Sequence, residues 1–415
     1  MPIVDMKGML DHAYCNGYAV GAFDVVSLDF LTGIMSAAER CRSPVILSLA
    51  ESHFAHFDFE LLMSAVEHAA QRATVPVAIH LDHGMSIESA VRSIRLGCNG
   101  VMVDASHCPF EENVALTLGV VEMARGCGVP VEGELGYVPG IEGEDAERHP
   151  GELVYTTVPE AKAYVQRTGV DFLAISIGTV HGRMKGEPDL NYARLQEINE
   201  ALRIPLVLHG GTGLADEQYS RLIANGISKI NYYTALADAS GHRIQQNAKR
   251  GERGYTALVN GTADVISQEV ERCMRLWGAA GRADEVLKAC DLWVPVEHLI
   301  IYNADASEKQ VRDMMAEGQR VLSRIPGVRA VFTGNAVQDA ARYRFTWLVR
   351  FCHPAVIDSY REHPDHVAFA DNHFRPVAGD RISIDYQGVE DRGTLADRDK
   401  ASGEVPNGIL SFNEP

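Results

Sequence analysis

The chain has 415 residues, 46% of them hydrophobic, enough for two or three domains with sizeable cores. Its formal net charge is −18, from 56 acidic against 38 basic residues with no Lys/Arg cluster, which excludes nucleic acid and anionic membrane surfaces as expected partners. No run approaches the roughly 18 to 20 apolar residues of a membrane span, and MPIVDMKGMLDH at the N-terminus has no basic-then-apolar leader, so the expected compartment is the cytoplasm.

In chain order, short β-branched runs alternate with helical stretches at intervals of roughly 20 to 35 residues. The runs are AVGAFDVV, SPVILSLAE, VPVAIHLDHG, GVMVDASH, VPVEGELG, FLAISIGTVHG, IPLVLHGGTG and KINYYT. Between several of them lie amphipathic segments such as SIESAVRSIRLGC and EENVALTLGVVEMARGCG, each closed by glycine. Eight β-then-α units over residues 1–285 have the size and count of a (β/α)8 TIM barrel, with a doubly wound open sheet as the alternative. The eight cysteines include no CxxC pair and read as reduced thiols.

After residues 286–295, a connector, the rhythm changes. EHLIIYNA opens a strand, and SEKQVRDMMAEGQRVLSRI follows as a helix with Ser307 and Gln310 placed as a capping box. VRAVFTGN, YRFTWLVRF, a helix around AVIDSYREH and finally RISIDYQG complete the order βαββαβ over residues 296–392. That is a smaller α+β, ferredoxin-like pattern. Residues 393–415 form a polar tail.

In a TIM barrel, chemistry gathers at the C-terminal ends of the strands. Asp82 and His83 end the third run, Asp104 the fourth, Glu132 and Glu134 the fifth, His181 the sixth and His209 the seventh. Three histidines from three strands suit a catalytic zinc, which takes three protein ligands and keeps a position for substrate. Taken singly, each reads first as a hydrogen-bonded buried imidazole; taken together, at matching strand ends and each beside glycine, they read as ligands. Asp82 is expected on the opposite side of an extended chain from His83, either acting beside the metal or orienting its ligands. His80, on the side of Asp82, is expected to support the site rather than bind metal. His209 to Gly213, HGGTG, and Asn231 to Thr234, NYYT, lie after strands seven and eight, where barrels bind phosphate on exposed amides. The glycine-spaced acidic loop VEGELGYVPGIEGED is either a solvated turn or a mobile carrier of a carboxylate.

Residues 1 to about 285 resemble the class II, metal-dependent ketose-bisphosphate aldolases, through HLDHG, VMVDASH, PFEENVALT, VEGELG, SIGTVHG, KGEPDL, VLHGGTG and KINYYT in the family's order. The resemblance implies reversible cleavage of a ketose (bis)phosphate, such as fructose 1,6-bisphosphate, to dihydroxyacetone phosphate and an aldehyde through a zinc-stabilised enediolate. It implies zinc on His83, His181 and His209, with Asp104 and Glu134 at a second or alternate divalent site. Asp82 matches the acid/base at the aldehyde oxygen and Glu142 the loop carboxylate that moves a proton on the ketose carbon. Gly182, Gly210, Gly211, Thr212, Asn231 and Thr234 match the phosphate cradle. Departures are Asp24, where the family usually has Asn, the stretch Ser48 to Phe57 without the glycine-rich character of standard members, and Pro139 inside the acidic loop. They bear on the aldehyde end, where Asp24 disfavours a nearby anion, so an uncharged or differently placed aldehyde end rivals fructose 1,6-bisphosphate; a lyase of the same family acting on a deoxy or acidic sugar phosphate is an alternative. A catalytically silent metal-binding scaffold and a metal-dependent hydrolase are rival readings.

Residues 296–392 resemble the stress-responsive dimeric α/β-barrel family, through EHLIIYNA, the long helix and YREHPDHVAF leading to RISIDYQ. Such domains pair through their sheets, which implies a homo-oligomer, a dimer or tetramer, or a cover over the barrel mouth. His353, His363, His366 and His373 are expected to pack rather than to bind metal.

Overall fold

In a computed structural model, eight strands close in sequence order into one parallel barrel. They are β1 (Val20–Asp24), β2 (Val45–Ala50), β3 (Val77–Gly84), β4 (Gly100–Val103), β5 (Val131–Leu135), β6 (Phe172–Ile175), β7 (Leu206–Leu208) and β8 (Ile227–Tyr232). β8 pairs in register with β1, Ala22 opposite Asn231, which closes the ring and rules out the open-sheet alternative. The structure describes residues 2–140, 144, 154–183, 186 and 188–388.

Five of the helices between the strands start where the sequence supplies a capping side chain. Ser27, Asp58, Ser86, Thr157 and Asn191 each accept a backbone N–H of the first helical turn, satisfying donors that the helix leaves open. Val20, Ala22, Ile46, Ala78, Phe172, Ala174 and Val207 fill the lower barrel interior together with Met6, Met9, Leu10 and Ala13 of the helix Met6–Asn16, which closes that end. The fit is tight: a Cβ at position 100 would sit 2.2 Å from the Met6 sulfur. Above this apolar plug the interior turns polar, with His80, Glu132 and Lys229 all fully buried.

β9 (Val296–Ala304), β10 (Val328–Asn335), β11 (Phe345–Phe351) and β12 (Ala378–Gln387) form a second sheet, order β10-β11-β9-β12, antiparallel throughout. With the helix Glu308–Leu322 after β9 and helical turns after β11, this is the expected βαββαβ order. The Ser307/Gln310 capping box is present. Trp347, Val349, Phe351 and Tyr302 are buried on one face. On the other, Phe332 (57% exposed), Ile382 (39%), Ile384 (42%) and Tyr386 (48%) lie open.

This domain docks on the end of the barrel opposite the strand C-termini, not over the mouth. Arg329 reaches both carboxylate oxygens of Glu67, at 2.6 and 2.7 Å, and the carbonyl of Arg95 at 3.2 Å. Ser359 donates to the Gly126 carbonyl at 2.7 Å, and His353 stacks on Trp293 with ring centroids 4.5 Å apart. Arg95 lies in the last turn of the helix Ile87–Leu96 before β4, and Gly126 ends the helix Phe110–Arg125 before β5, so the contact is at the strands' starting end. The expected packing of the late histidines is found. His366 lies against Tyr360, His373 against Phe369, and His363 caps the turn Pro364–Phe369 by accepting from Asp365 N–H.

Candidate active site at the barrel mouth

His83 departs from the simple strand alternation. Its backbone is left-handed, φ 47°, in a conformation that costs a non-glycine residue strain and so marks a position held by its surroundings. The β3–β4 register shifts between Leu81 and Gly84, and a Cβ at Gly84 would lie 2.6 Å from the Met102 carbonyl. The bend turns His83 back toward the side of Asp82, with Nε2 4.0 Å from Asp82 Oδ2. The expectation that these neighbours face opposite ways is therefore corrected.

His209 follows β7 directly, while His181 stands six positions beyond the end of β6, in a loop held by a hydrogen bond from its own N–H to the Pro139 carbonyl at 2.8 Å. Candidate ligand atoms of His83, His181 and His209 lie within 4.8 Å of one another. His83 Nδ1 is 2.8 Å from Asp104 Oδ2, and His209 Nε2 is 3.0 Å from Glu132 Oε1. Ionised carboxylates only accept, so those two nitrogens carry the protons. That leaves His83 Nε2 and His209 Nδ1 facing each other at 3.0 Å. Imidazoles held by outer carboxylates with their inner nitrogens converging are the donor set of a zinc site once the inner proton of His83 is released. Glu134 adds a buried carboxylate oxygen, Oε2, that accepts no hydrogen bond and lies 4.0 Å from both rings. His83, Asp104 and Glu134 form a second group of metal-ligating geometry. The residues fit a divalent metal.

The protonation pattern follows from this crowding. Burial works against a charge on His83, but Asp82 and Asp104 outweigh it and hold its pKa well above the ordinary value. Burial, reinforced by Asp104, pushes Glu134 well above the carboxylate range. Burial likewise opposes ionisation of Asp82, yet His83, His209 and Lys229 bring its pKa down. His209 is pushed well below the usual imidazole value by burial and by His83.

Gly210, Gly211 and Thr212 continue from His209. Gly210 has φ 64°, and a Cβ there would meet the Val180 carbonyl at 2.2 Å. The Thr212 hydroxyl accepts from Ala235 N–H at 3.4 Å, and the fully buried Thr234 opens the helix Thr234–Lys249. The loop after β7 is thus tied to a helix N-terminus, a setting that favours an anion. Gly182, φ 82°, follows His181. Asn231 points inward and donates to Asp82 Oδ1 at 2.9 Å. Glu142 lies outside the described residues. A cavity of about 240 Å³ beside the histidines is lined by Ser52, His83, Asp104, Ser106, Tyr137 and His181. Asp24, 2% exposed, faces His53 at 3.9 Å, and His53 lies on the Tyr233 ring.

A family model for class-II fructose-bisphosphate aldolase matches residues 4–282. The chain belongs to the class II fructose-bisphosphate aldolases. Fructose-bisphosphate aldolase of Geobacillus stearothermophilus is 41% identical over 289 residues, 68% of this chain and 99% of that protein. The Staphylococcus epidermidis enzyme of the same name is 38% identical over 288 residues, 68% of this chain and all of its own length. Among solved structures, the YdjI aldolase from Escherichia coli K12 superposes with a TM-score of 0.61 at 33% identity, covering 68% of this chain and 99% of that one. Residues 296–387 match the stress responsive A/B barrel domain. The protein is an aldolase, a carbon–carbon lyase, with a second domain that these relatives' aligned lengths do not include.

Two residues of this aldolase's site escaped assignment from sequence. Glu132 stands at a strand end with no role that the sequence alone assigns, and Lys229 reads only as the first residue of KINYYT. A lysine at an inward position of a buried strand, two residues from Asn231, was the available signal.

Proposed function

We propose that this aldolase reversibly cleaves a ketose phosphate to dihydroxyacetone phosphate and an aldehyde, with zinc as its metal. The observation that carries this reading is the convergence of His83, His181 and His209, within 4.8 Å, beside Asp82. Zinc held by the three imidazoles would polarise the ketose carbonyl and spread the negative charge left by carbon–carbon cleavage. Asp82 takes the proton from the hydroxyl that becomes the aldehyde. One of its oxygens is occupied by Asn231 at 2.9 Å, which leaves the other to the substrate. Glu142 moves the proton at the ketose carbon. Gly182, Gly210, Gly211, Thr212 and Thr234 hold the phosphate. Asp104 orients His83, and it and Glu134 offer an alternate divalent position.

Fructose 1,6-bisphosphate is the first substrate of this reading, as the names of the relatives suggest. Asp24 favours a second, a ketose whose aldehyde end carries no phosphate near β1, because a buried carboxylate repels an anion. Dihydroxyacetone phosphate release, followed with a coupled reductase across a panel of ketose phosphates, ranks the two by kcat/KM. Asp82→Asn is expected to lower kcat by about 100-fold or more with zinc content unchanged. Full activity in that variant, or after exhaustive chelation, overturns the mechanism.

The same reading divides the chain into a barrel (1–285), a connector (286–295), the sheet domain (296–392) and a tail (393–415). It places the enzyme in the cytoplasm as a homo-oligomer joined through the open face of the second sheet. Exposed apolar side chains from β10 and β12 support that contact.

A further inference from the structure

Lys229 is a fully buried ammonium in the barrel interior with two partners. Its Nζ donates to Glu132 Oε2 and to Asn231 Oδ1, each at 2.7 Å. Glu132 turns its other oxygen to His209 Nε2 at 3.0 Å, and Asn231 turns its Nδ2 to Asp82 Oδ1 at 2.9 Å. His80 closes the far side of this layer, Nε2 3.7 Å from Glu132 Oε2. A single chain of contacts, His209–Glu132–Lys229–Asn231–Asp82, thus joins a proposed metal ligand to the proposed acid/base.

We propose that Lys229 is a positioning residue for both ends of that chain, a role that rests on the aldolase reading above. The two ends of an amide side chain are alike in shape, but an ammonium can only donate. Whatever it touches on Asn231 must be the carbonyl oxygen. The amide NH2 is thereby turned toward Asp82, where it holds Oδ1 and leaves Oδ2 on the side of His83, 4.0 Å away. The same ammonium anchors Glu132, whose second oxygen accepts the hydrogen bond from His209 Nε2–H and leaves the Nδ1 lone pair for metal. One cation therefore selects the nitrogen of His209 that can ligate and the oxygen of Asp82 that can move a proton.

A buried ion pair also has a purely structural effect, because removing one partner strands the other charge. The test separates the two. K229M, E132Q and the double variant are made in the full chain, and thermal stability, zinc affinity by chelator competition, and kcat and KM are measured. The single variants are expected to melt lower. The double variant, with no stranded charge, is expected to recover much of the melting temperature while its zinc affinity stays down by about 10- to 100-fold. Its kcat on the best ketose phosphate is expected to remain down by about 100-fold with KM little changed. If zinc affinity and kcat return together with stability, Lys229 is structural only and the proposal is overturned. The zinc arm uses no substrate, so it decides the positioning role even if the wild-type chain turns over no ketose phosphate, a result that would instead remove the aldolase substrate reading.

Discussion

At the scale of single residues, the site is governed by how many charges share a buried space. His83 holds its proton well above the ordinary imidazole pKa because Asp82 and Asp104 overcome the effect of burial, and burial with Asp104 keeps Glu134 protonated well above the carboxylate range. A metal ligand must give up its proton before it binds. Zinc loading near neutral pH should therefore release about one to two protons per site, and zinc affinity should rise with pH through the neutral range. Calorimetry of the metal-free protein in buffers of different ionisation enthalpy measures both. A pH-independent affinity without proton release would contradict the electrostatics described for His83 and Glu134. The left-handed backbone at His83, φ 47°, belongs to the same scale: one strained residue brings a ligand and a carboxylate to one side.

At the scale of elements, the mouth is built by loops packed against each other rather than by strands alone. The turn after β7 approaches the loop of β6 so closely that a methyl group at position 210 would lie 2.2 Å from the Val180 carbonyl, at a backbone φ of 64°. Gly210→Ala should cost about 1 to 3 kcal/mol of local strain. The effect should be seen mainly as a KM for ketose phosphate raised about tenfold, with zinc stoichiometry intact. An unchanged KM would show that this turn does not set the phosphate site. The second sheet makes a contrasting use of its faces. Trp347, Val349 and Phe351 are covered by helices, whereas Ile382, Ile384 and Tyr386 lie open.

At the scale of the whole molecule, the two domains are joined at the end of the barrel away from the chemistry. The Arg329–Glu67 pair, at 2.6 and 2.7 Å, and the Trp293–His353 stack hold them there, so that among the described residues neither the mouth nor the open sheet face is covered by the other domain. The oligomer proposed above can then form without closing the site. Ile382→Glu combined with Ile384→Glu should place charges in the open face and reduce the particle mass measured by light scattering, while kcat on ketose phosphate stays within about twofold, as expected for surface changes remote from the reacting groups. An unchanged mass would place the subunit contact elsewhere.

What the sequence determined by itself was the periodic part. Eight alternating units set the barrel and the βαββαβ order set the second sheet, because strand and helix periods are written in neighbouring residues. The order of HLDHG, VEGELG, SIGTVHG and VLHGGTG also fixed which residues reach the mouth, since strand ends in this fold converge there. Tertiary structure alone decided what those residues do to one another. The turn of His83 toward Asp82 comes at a register shift where the backbone of β4 lies too close to Gly84 for a side chain, a contact across strands that no local pattern records. Lys229 reads in sequence as one lysine in a strand. Only closure of the barrel sets β8 beside β1 and carries its ammonium across the interior to Glu132 of β5, where, both being buried, each charge needs the other.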